Sequence, residues 1–413
     1  MGEAVRVPDA EDRALSILRL LRTAEGTAAV QRAAGLFAEG VDLLTGLSRL
    51  REELGPELAG PAWELARLRA RARPVFGADA DQLFLTAVTL EQAGRPELAD
   101  RRAARLLADR GGPVADLGCG AGTDTVALAR RGASVVAIDR DPVARELTAA
   151  NAAALGVGPR VTVLGGDVVD VVDRAENGWV ASCPAAVLDP ARRADGRRQL
   201  DPDRWSPPWS TVVALLERVP RTLVKVAPGL DHERVPDGVE AEWVSAGGSI
   251  VEALLWGTGV SATWRRATLV HDGGFLELTA DEDPGQAPVG RVRGWLHEPD
   301  PAVIRSGLVA LVAAELGATL VDPTIAYLTS DACAGSPWVR SYRVDDVLPF
   351  NLKKLRALLR NRGVGRVTVK KRGSAIEPES LARRLRGPGP ESAVVVVTRV
   401  AGAPTALVCD VSD

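Results

Sequence analysis

The pattern best suited to chemistry in this 413-residue chain is the stretch Val114 to Gly122, V-A-D-L-G-C-G-A-G. Gly118, Gly120 and Gly122 alternate behind Asp116, and T-D-T-V-A-L-A follows with helical spacing. An apolar strand, a glycine turn and a helix start, in that order, build a crevice for a nucleotide. Glycines there let the backbone approach the ligand. An acid at the strand end can hold an ammonium group. Three more acids follow apolar runs: Asp139 after S-V-V-A-I, Asp167 after V-T-V-L-G-G, and Asp189 after A-A-V-L. The C-terminal strand ends of a doubly wound sheet face one crevice, so these four carboxylates converge on one ligand.

The spacing D-x-G-x-G-x-G departs from the G-x-G-x-x-G of dinucleotide enzymes. It resembles the first motif of class I S-adenosylmethionine (SAM) methyltransferases. The ordered acids resemble motifs I to IV of that family over Leu90 to Thr279. The resemblance implies S-adenosyl-L-methionine as cofactor, with Asp116, Gly118, Gly120 and Gly122 around its methionine part. It places Asp139 at the ribose hydroxyls and Asp167 at the adenine amino group. Arg95, Pro96, Glu97 and Ala99, with Gly94 in place of a threonine, resemble the T-P-E-x-x-A element that covers the cofactor in RNA methyltransferases such as trimethylguanosine synthase.

Asp189-Pro190-Ala191-Arg192 stands where this superfamily keeps its substrate-facing motif. Enzymes that methylate base amino groups carry an aromatic after the prolines; here there is none. The uracil-C5 enzymes carry D-P-P-R and need a later cysteine nucleophile. Only Cys333 and Cys409 follow Asp189, both in the C-terminal region, which argues against attack by a thiolate. Methyl transfer from a sulfonium needs positioning more than acid–base power. Asp189, backed by rigid Pro190, is therefore the candidate acceptor of the nucleophile's proton. Arg192 and Arg193 are candidates to grip a phosphate or carboxylate, or to form an ion pair within the site. Lys225, in V-K-V-A-P-G-L-D, is a candidate substrate contact. Trp205 and Trp209 are candidates either to stack a base or to pack.

The elements that must position these residues alternate. Strands are predicted at 114–116, 134–139, 161–164, 185–188 and 222–226, with helices between them and hairpins from 240 to 279 around Gly247-Gly248 and Gly273-Gly274. The expected fold is α/β, a Rossmann-like class I methyltransferase with a mostly parallel seven-stranded sheet. It is preceded by a helical N-terminal domain and followed by a C-terminal α/β domain. The expected boundaries are 1–88, 89–284, a linker with a connecting helix over 285–321, and 322–413. In the helical domain, Gly55-Pro56, Gly60-Pro61 and Pro74 predict helix breaks. Arg67, Arg69, Arg71 and Arg73 form either a solvated helix surface or a surface for phosphates.

Composition narrows the partners. A hydrophobic fraction of 46% and a charged fraction of 25% describe a globular protein. No apolar run reaches membrane-spanning length, and M-G-E-A-V-R is not the start of a signal peptide. Scattered cysteines and histidines predict neither disulfides nor a metal site, so a cytoplasmic setting is the expectation. The net charge of −3 makes no global case for nucleic acid. Lysine distribution does: after Lys225, only Lys353, Lys354, Lys370 and Lys371 occur, all in one C-terminal window with Arg372. The pieces Y-L-T-S-D, L-K-K-L and V-T-V-K-K-R-G there resemble the THUMP-like domain of bacterial methyltransferases with a D-P-A-R-R motif. That resemblance implies binding of structured RNA, tRNA or rRNA, and methylation of a base nitrogen. The rival readings are a small-molecule or protein methyltransferase and a non-catalytic SAM- or RNA-binding module.

Overall fold

The computed structural model describes residues 10–410, apart from 93, 109–110, 174–181, 192, 195–196, 200, 334 and the side chains of 193, 194, 197 and 198. The chain forms two units, 1–239 with 255–261, and 240–254 with 262–413.

The first unit opens with α1 (Ala10–Leu21), α2 (Ala24–Ala38), α3 (Leu43–Leu54) and α4 (Pro56–Phe76). Thr23 and Asp42 cap α2 and α3 by accepting their first backbone N–H groups. Leu36, Leu50, Trp63 and Leu68 fill the bundle core, each worth about 1.5–3 kcal/mol of burial. Gly46 makes room for Trp63, since a Cβ there would lie 2.2 Å from the indole. Helix α4 runs through Pro61 and Pro74, where the sequence predicts breaks. Each proline removes one hydrogen bond, from the carbonyls of Glu57 and Ala70, and both of those residues are exposed to water.

After α5 (Ala87–Gln92) and α6 (Pro96–Leu107) comes the alternating part. It consists of β1 (Val114–Leu117), α7 (Thr123–Arg130), β2 (Val135–Asp139), α8 (Pro142–Ala154), β3 (Val161–Gly165), α9 (Val168–Asp173) and β4 (Ala185–Leu188). A two-residue hairpin, β5 (Arg193–Ala194) and β6 (Arg197–Arg198), precedes α10 (Trp209–Arg218) and β7 (Arg221–Val226). The strands lie in the order β7-β4-β1-β2-β3, all parallel. The chain starts at the centre, steps outward through β2 and β3, then returns to the other side of β1. The order reverses between β1 and β4, and the carboxyl ends of those strands open there into a crevice.

The second unit contains β8 (Glu240–Ala246), β9 (Ser249–Trp256), β10 (Arg265–His271) and β11 (Gly274–Ala280) in the order β11-β10-β8-β9, with β11 an antiparallel edge. The last two residues of β9 belong to the first unit. The second unit continues with β12 (Trp295–Pro299), α11 (Pro301–Ser306), α12 (Val309–Glu315), β13 (Thr319–Asp322), β14 (Ile325–Ser330), β15 (Val339–Pro349), α13 (Leu352–Asn361), β16 (Val364–Lys371), α14 (Pro378–Leu385), β17 (Glu391–Val400) and β18 (Ala403–Cys409). Their sheet order is β13-β14-β12-β15-β18-β17-β16. Helices α13 and α14 bury Leu355, Leu359, Leu381 and Leu385 against Val395, Val397, Ala406 and Val408.

The segment read as a linker thus supplies β12, an inner strand. Its W-L-H-E-P is short and half polar, and only folding shows that His297 is buried between the hydroxyls of Ser341 (2.8 Å) and Ser330 (2.7 Å). The single connecting helix expected within 285–321 is two helices. Gly307, at φ 81°, ends the first.

Candidate active site

The glycine turn is held from both sides. Gly118 and Cys119 donate their N–H groups to the Ile138 carbonyl on β2. Gly118 has φ 77° and faces the Asp189 carbonyl, which an added Cβ would approach to 3.0 Å. Gly122, at φ 84°, lies against Thr148 of α8. The Thr148 hydroxyl donates to the Gly120 carbonyl (2.9 Å), and Asn151 donates to that of Ala121 (2.9 Å). Gly120, at φ 56°, has open space where a Cβ would be. Its N–H donates to Asp139 Oδ2 (3.0 Å) at the end of β2. The Asp167 carboxylate accepts from the Val169 N–H at the start of α9.

Around this turn lies a crevice of about 570 Å³. It is lined by Asp116, Gly118, Gly120, Asp139, Asp167, Asp189, Pro190 and Lys225, residues the sequence singles out. Thr89, Gln92 and Gly94, ahead of α6, line it as well, as do Ser206 and Pro207. The latter two are brought in by backbone hydrogen bonds between Ala191 and Ser206 (2.8 and 3.0 Å).

The charges beneath the crevice form an alternating chain. Arg102 of α6, 1% exposed, donates twice to Asp124 Oδ1 (3.0 and 2.6 Å). The Lys225 ammonium lies 2.5 Å from Asp124 Oδ2 and 3.0 Å from Asp189 Oδ2. Burial would raise the Asp124 carboxyl, but Arg102 and Lys225 outweigh it and hold the group well below the usual carboxylate range. Asp116 is the opposite case. Burial, then the nearby Asp124 charge, push it up to about 7, although the Thr125 hydroxyl donates to it. The sequence reading misses Asp124 and Arg102. A signal was present: Arg102 lies on the apolar stripe of α6, three or four residues from Leu98, Ala99 and Leu106, where a charge must find a buried partner.

A family model described as a methyltransferase domain matches residues 114–192. An uncharacterized S-adenosylmethionine-dependent methyltransferase of Mycobacterium tuberculosis is 34% identical over 363 residues, covering 84% of this chain and 95% of that one. The chain belongs to the SAM-dependent methyltransferases. In this methyltransferase the crevice presents a set of acceptors that fits a donor-rich cofactor. SAM carries an ammonium group, ribose hydroxyls and an adenine amino group, and the crevice presents carboxylates around an open glycine turn. Its volume is that of an ordinary small-molecule site. A crystal structure of a proposed methyltransferase from Porphyromonas gingivalis W83 superimposes with a TM-score of 0.71 at 20% identity, covering 98% of this chain and 99% of that one; this shows the fold. Two further family models match: a domain of unknown function over residues 14–72 and a THUMP domain-like family over 339–411. An uncharacterized RNA methyltransferase of Parasynechococcus marenigrum is 34% identical over 117 residues, 27% of this chain and 24% of that one.

Several predicted site residues of the methyltransferase have other surroundings. Trp205 and Trp209, 3% and 8% exposed, pack edge to face with ring centres 6.1 Å apart. Trp205 donates to the Gln199 carbonyl, so both are packing residues with no face open to a base. Lys225 is a bridge between carboxylates. Arg192 and the Arg193 side chain lie outside the described residues. In the second unit Lys353, Lys354 and Lys371 are exposed. Lys370 donates to Glu298, and Arg372 lies 4.0 Å from the same carboxylate. The arginines of α4 are mostly engaged: Arg67 with Glu64, Arg73 with Asp81, and Arg69 with the carbonyls of Leu83 and Gln82. Burial pushes Arg69 down to about 10. Cys409 is buried, and its thiol is pushed up to about 12, so it is no thiolate nucleophile.

Proposed function

We propose that this methyltransferase modifies a base nitrogen in structured RNA, tRNA or rRNA, in the cytoplasm, and docks that RNA on its C-terminal domain. The observation that carries the reading is the THUMP-like match together with the exposed cations of α13. Lys353, Lys354, Arg356 and Arg360 all face solvent. Among the described residues none of them makes an ion pair. Cations left unpaired on a surface suit phosphates. The RNA methyltransferase of P. marenigrum is a relative of matching chemistry.

In this reading Asp139 takes the ribose hydroxyls, Asp167 the adenine amino group, and Gly118 to Gly122 the methionine part of the cofactor. When bound, SAM supplies a methyl group on a sulfonium, whose leaving sulfur keeps the bonding electron pair. Asp189 stands at the acceptor side, on a turn that Pro190 stiffens. It accepts the proton as the base N–H bond breaks and the N–CH₃ bond forms. We read 89–284 as the catalytic domain, and we start the RNA-docking domain before Trp295 because β12 is an inner strand of its sheet.

A second reading, a small-molecule or protein acceptor, is favoured by one observation. The crevice collects Asp116, Asp124, Asp139, Asp167 and Asp189 against Lys225 and Arg140, which repels a phosphate inside it. Filter binding of bulk RNA at low salt, paired with transfer of labelled methyl to that RNA, separates the two. Binding and labelling are expected. No binding would remove the RNA reading and leave the second.

A further inference from the structure

We infer that Lys225 is the positioning residue of the acceptor-side carboxylate: it ties Asp189 to a buried ion pair and so fixes where that carboxylate stands in the crevice. The inference rests on the assignment of Asp189 to the acceptor side.

Four elements supply the chain of charges. Arg102 comes from α6, Asp124 from the first turn of α7, Lys225 from β7, and Asp189 from the end of β4. Signs alternate along it, and exposure rises from one end to the other. Arg102 is sealed, the Lys225 side chain is 14% exposed and that of Asp189 is 39% exposed. The inner pair cannot move without leaving a charge unpaired in low dielectric. It therefore forms a fixed base. Lys225 reaches from that base to a single oxygen of Asp189, Oδ2. Among the described residues Oδ1 has no hydrogen-bond partner, and Asp189 lines the crevice. A carboxylate on an exposed turn would rotate about its side-chain torsions. One held through Oδ2 presents Oδ1 in one direction. Displacement at a methyl group is sensitive to misplacement of the acceptor, so this restraint acts on rate and not on cofactor affinity.

The same bridge explains why a lysine is used in a chain that almost avoids it. Its ammonium is compact and meets two carboxylates from different elements, the start of α7 and the end of β4, whereas a planar guanidinium tends to grip one carboxylate in bidentate fashion.

The test uses the full-length protein with Lys225→Met and Lys225→Arg, and has two readouts. First, an amine-reactive ester is applied without substrate, and labelling of each lysine is followed by mass spectrometry. Lys225 should label at least tenfold more slowly than Lys353 and Lys354, and Asp189→Asn should speed its labelling several-fold. Equal labelling of Lys225 in the wild type and in Asp189→Asn would overturn the bridge. Second, methyl transfer to bulk RNA is measured. Lys225→Met should lower kcat about a hundredfold with KM for SAM within threefold, and Lys225→Arg should recover a tenth or more of the wild-type rate. An unchanged kcat in Lys225→Met, or a parallel loss of SAM affinity and rate with no rescue by arginine, would overturn the positioning role. If the wild type labels no RNA, the substrate reading fails, and the ester labelling alone decides the bridge.

Discussion

Two groups of charges in this molecule use lysine and arginine to opposite ends. In the first unit Arg102, Asp124, Lys225 and Asp189 satisfy one another, and three of the four are largely buried. In the second unit Lys353, Lys354, Arg356 and Arg360 lie exposed along α13. Burial makes pairing compulsory, because an unpartnered charge in low dielectric costs several kcal/mol; a paired charge has a defined position. Exposure removes that compulsion and leaves the charge to a partner, with the salt sensitivity that follows. Lys370 and Arg372 stand between these cases. Both lie near Glu298, and both sit over aromatic rings, Tyr342 and Tyr327 respectively. The first group thus fixes geometry, and the second, in the proposed reading, supplies affinity for RNA.

The comparison breaks most easily at Asp124. Asp124→Asn removes the buried carboxylate that Arg102 and Lys225 share and should destabilise the first unit by about 3–5 kcal/mol in urea denaturation. A loss under about 1 kcal/mol would mean that the network is not compulsory. Next is the pH dependence of Asp116. Its folded carboxyl is raised to about 7, so the folded state binds more protons than the unfolded state between about pH 4 and 7. Stability from this group is full below that window and falls as pH rises through it. Asp116→Asn should remove a few kcal/mol of that decline, seen by comparing denaturation at pH 5 and pH 8 in both proteins. Smaller still, Asp139→Ala should weaken S-adenosylhomocysteine about 10–100-fold in calorimetry, the worth of one or two charge-assisted hydrogen bonds. Asp189→Ala should weaken it less; the reverse order would exchange the two roles. The smallest effect sharpens the second half of the comparison. Lys353→Glu with Lys354→Glu should reduce the slope of log affinity for RNA against log salt by about 1–2. Lys370→Gln should change it less, because Glu298 already holds that ammonium.

The catalytic fold was legible because its signals are local. Strand, glycine turn and helix follow within a few residues at Val114 to Thr123, and each acid stands directly behind an apolar run. Topology then carries Asp116, Asp139, Asp167 and Asp189 to one crevice without any side-chain detail. What stayed hidden depends on partners distant in sequence. Asp124 reads as an ordinary acid in the first turn of a helix until Arg102 and Lys225 close on it. Trp205 and Trp209 read as loop aromatics until Ala191 pairs with Ser206 and draws their loop inward. Strand β12 was missed because five residues with a histidine and a glutamate give no alternation; Ser330 and Ser341 are what make His297 a core residue. Lys370 and Arg372 share a lysine-rich window with Lys371, and only the folded chain, which brings Glu298 within reach of both, separates them.

The most direct measurement of the central claim is mass spectrometry of nucleosides from tRNA and rRNA of cells with and without the gene. One base-methylated nucleoside should be lost without the gene and return when the wild-type protein is supplied, but not with Asp189→Ala. An unchanged set of methylated nucleosides would contradict the claim.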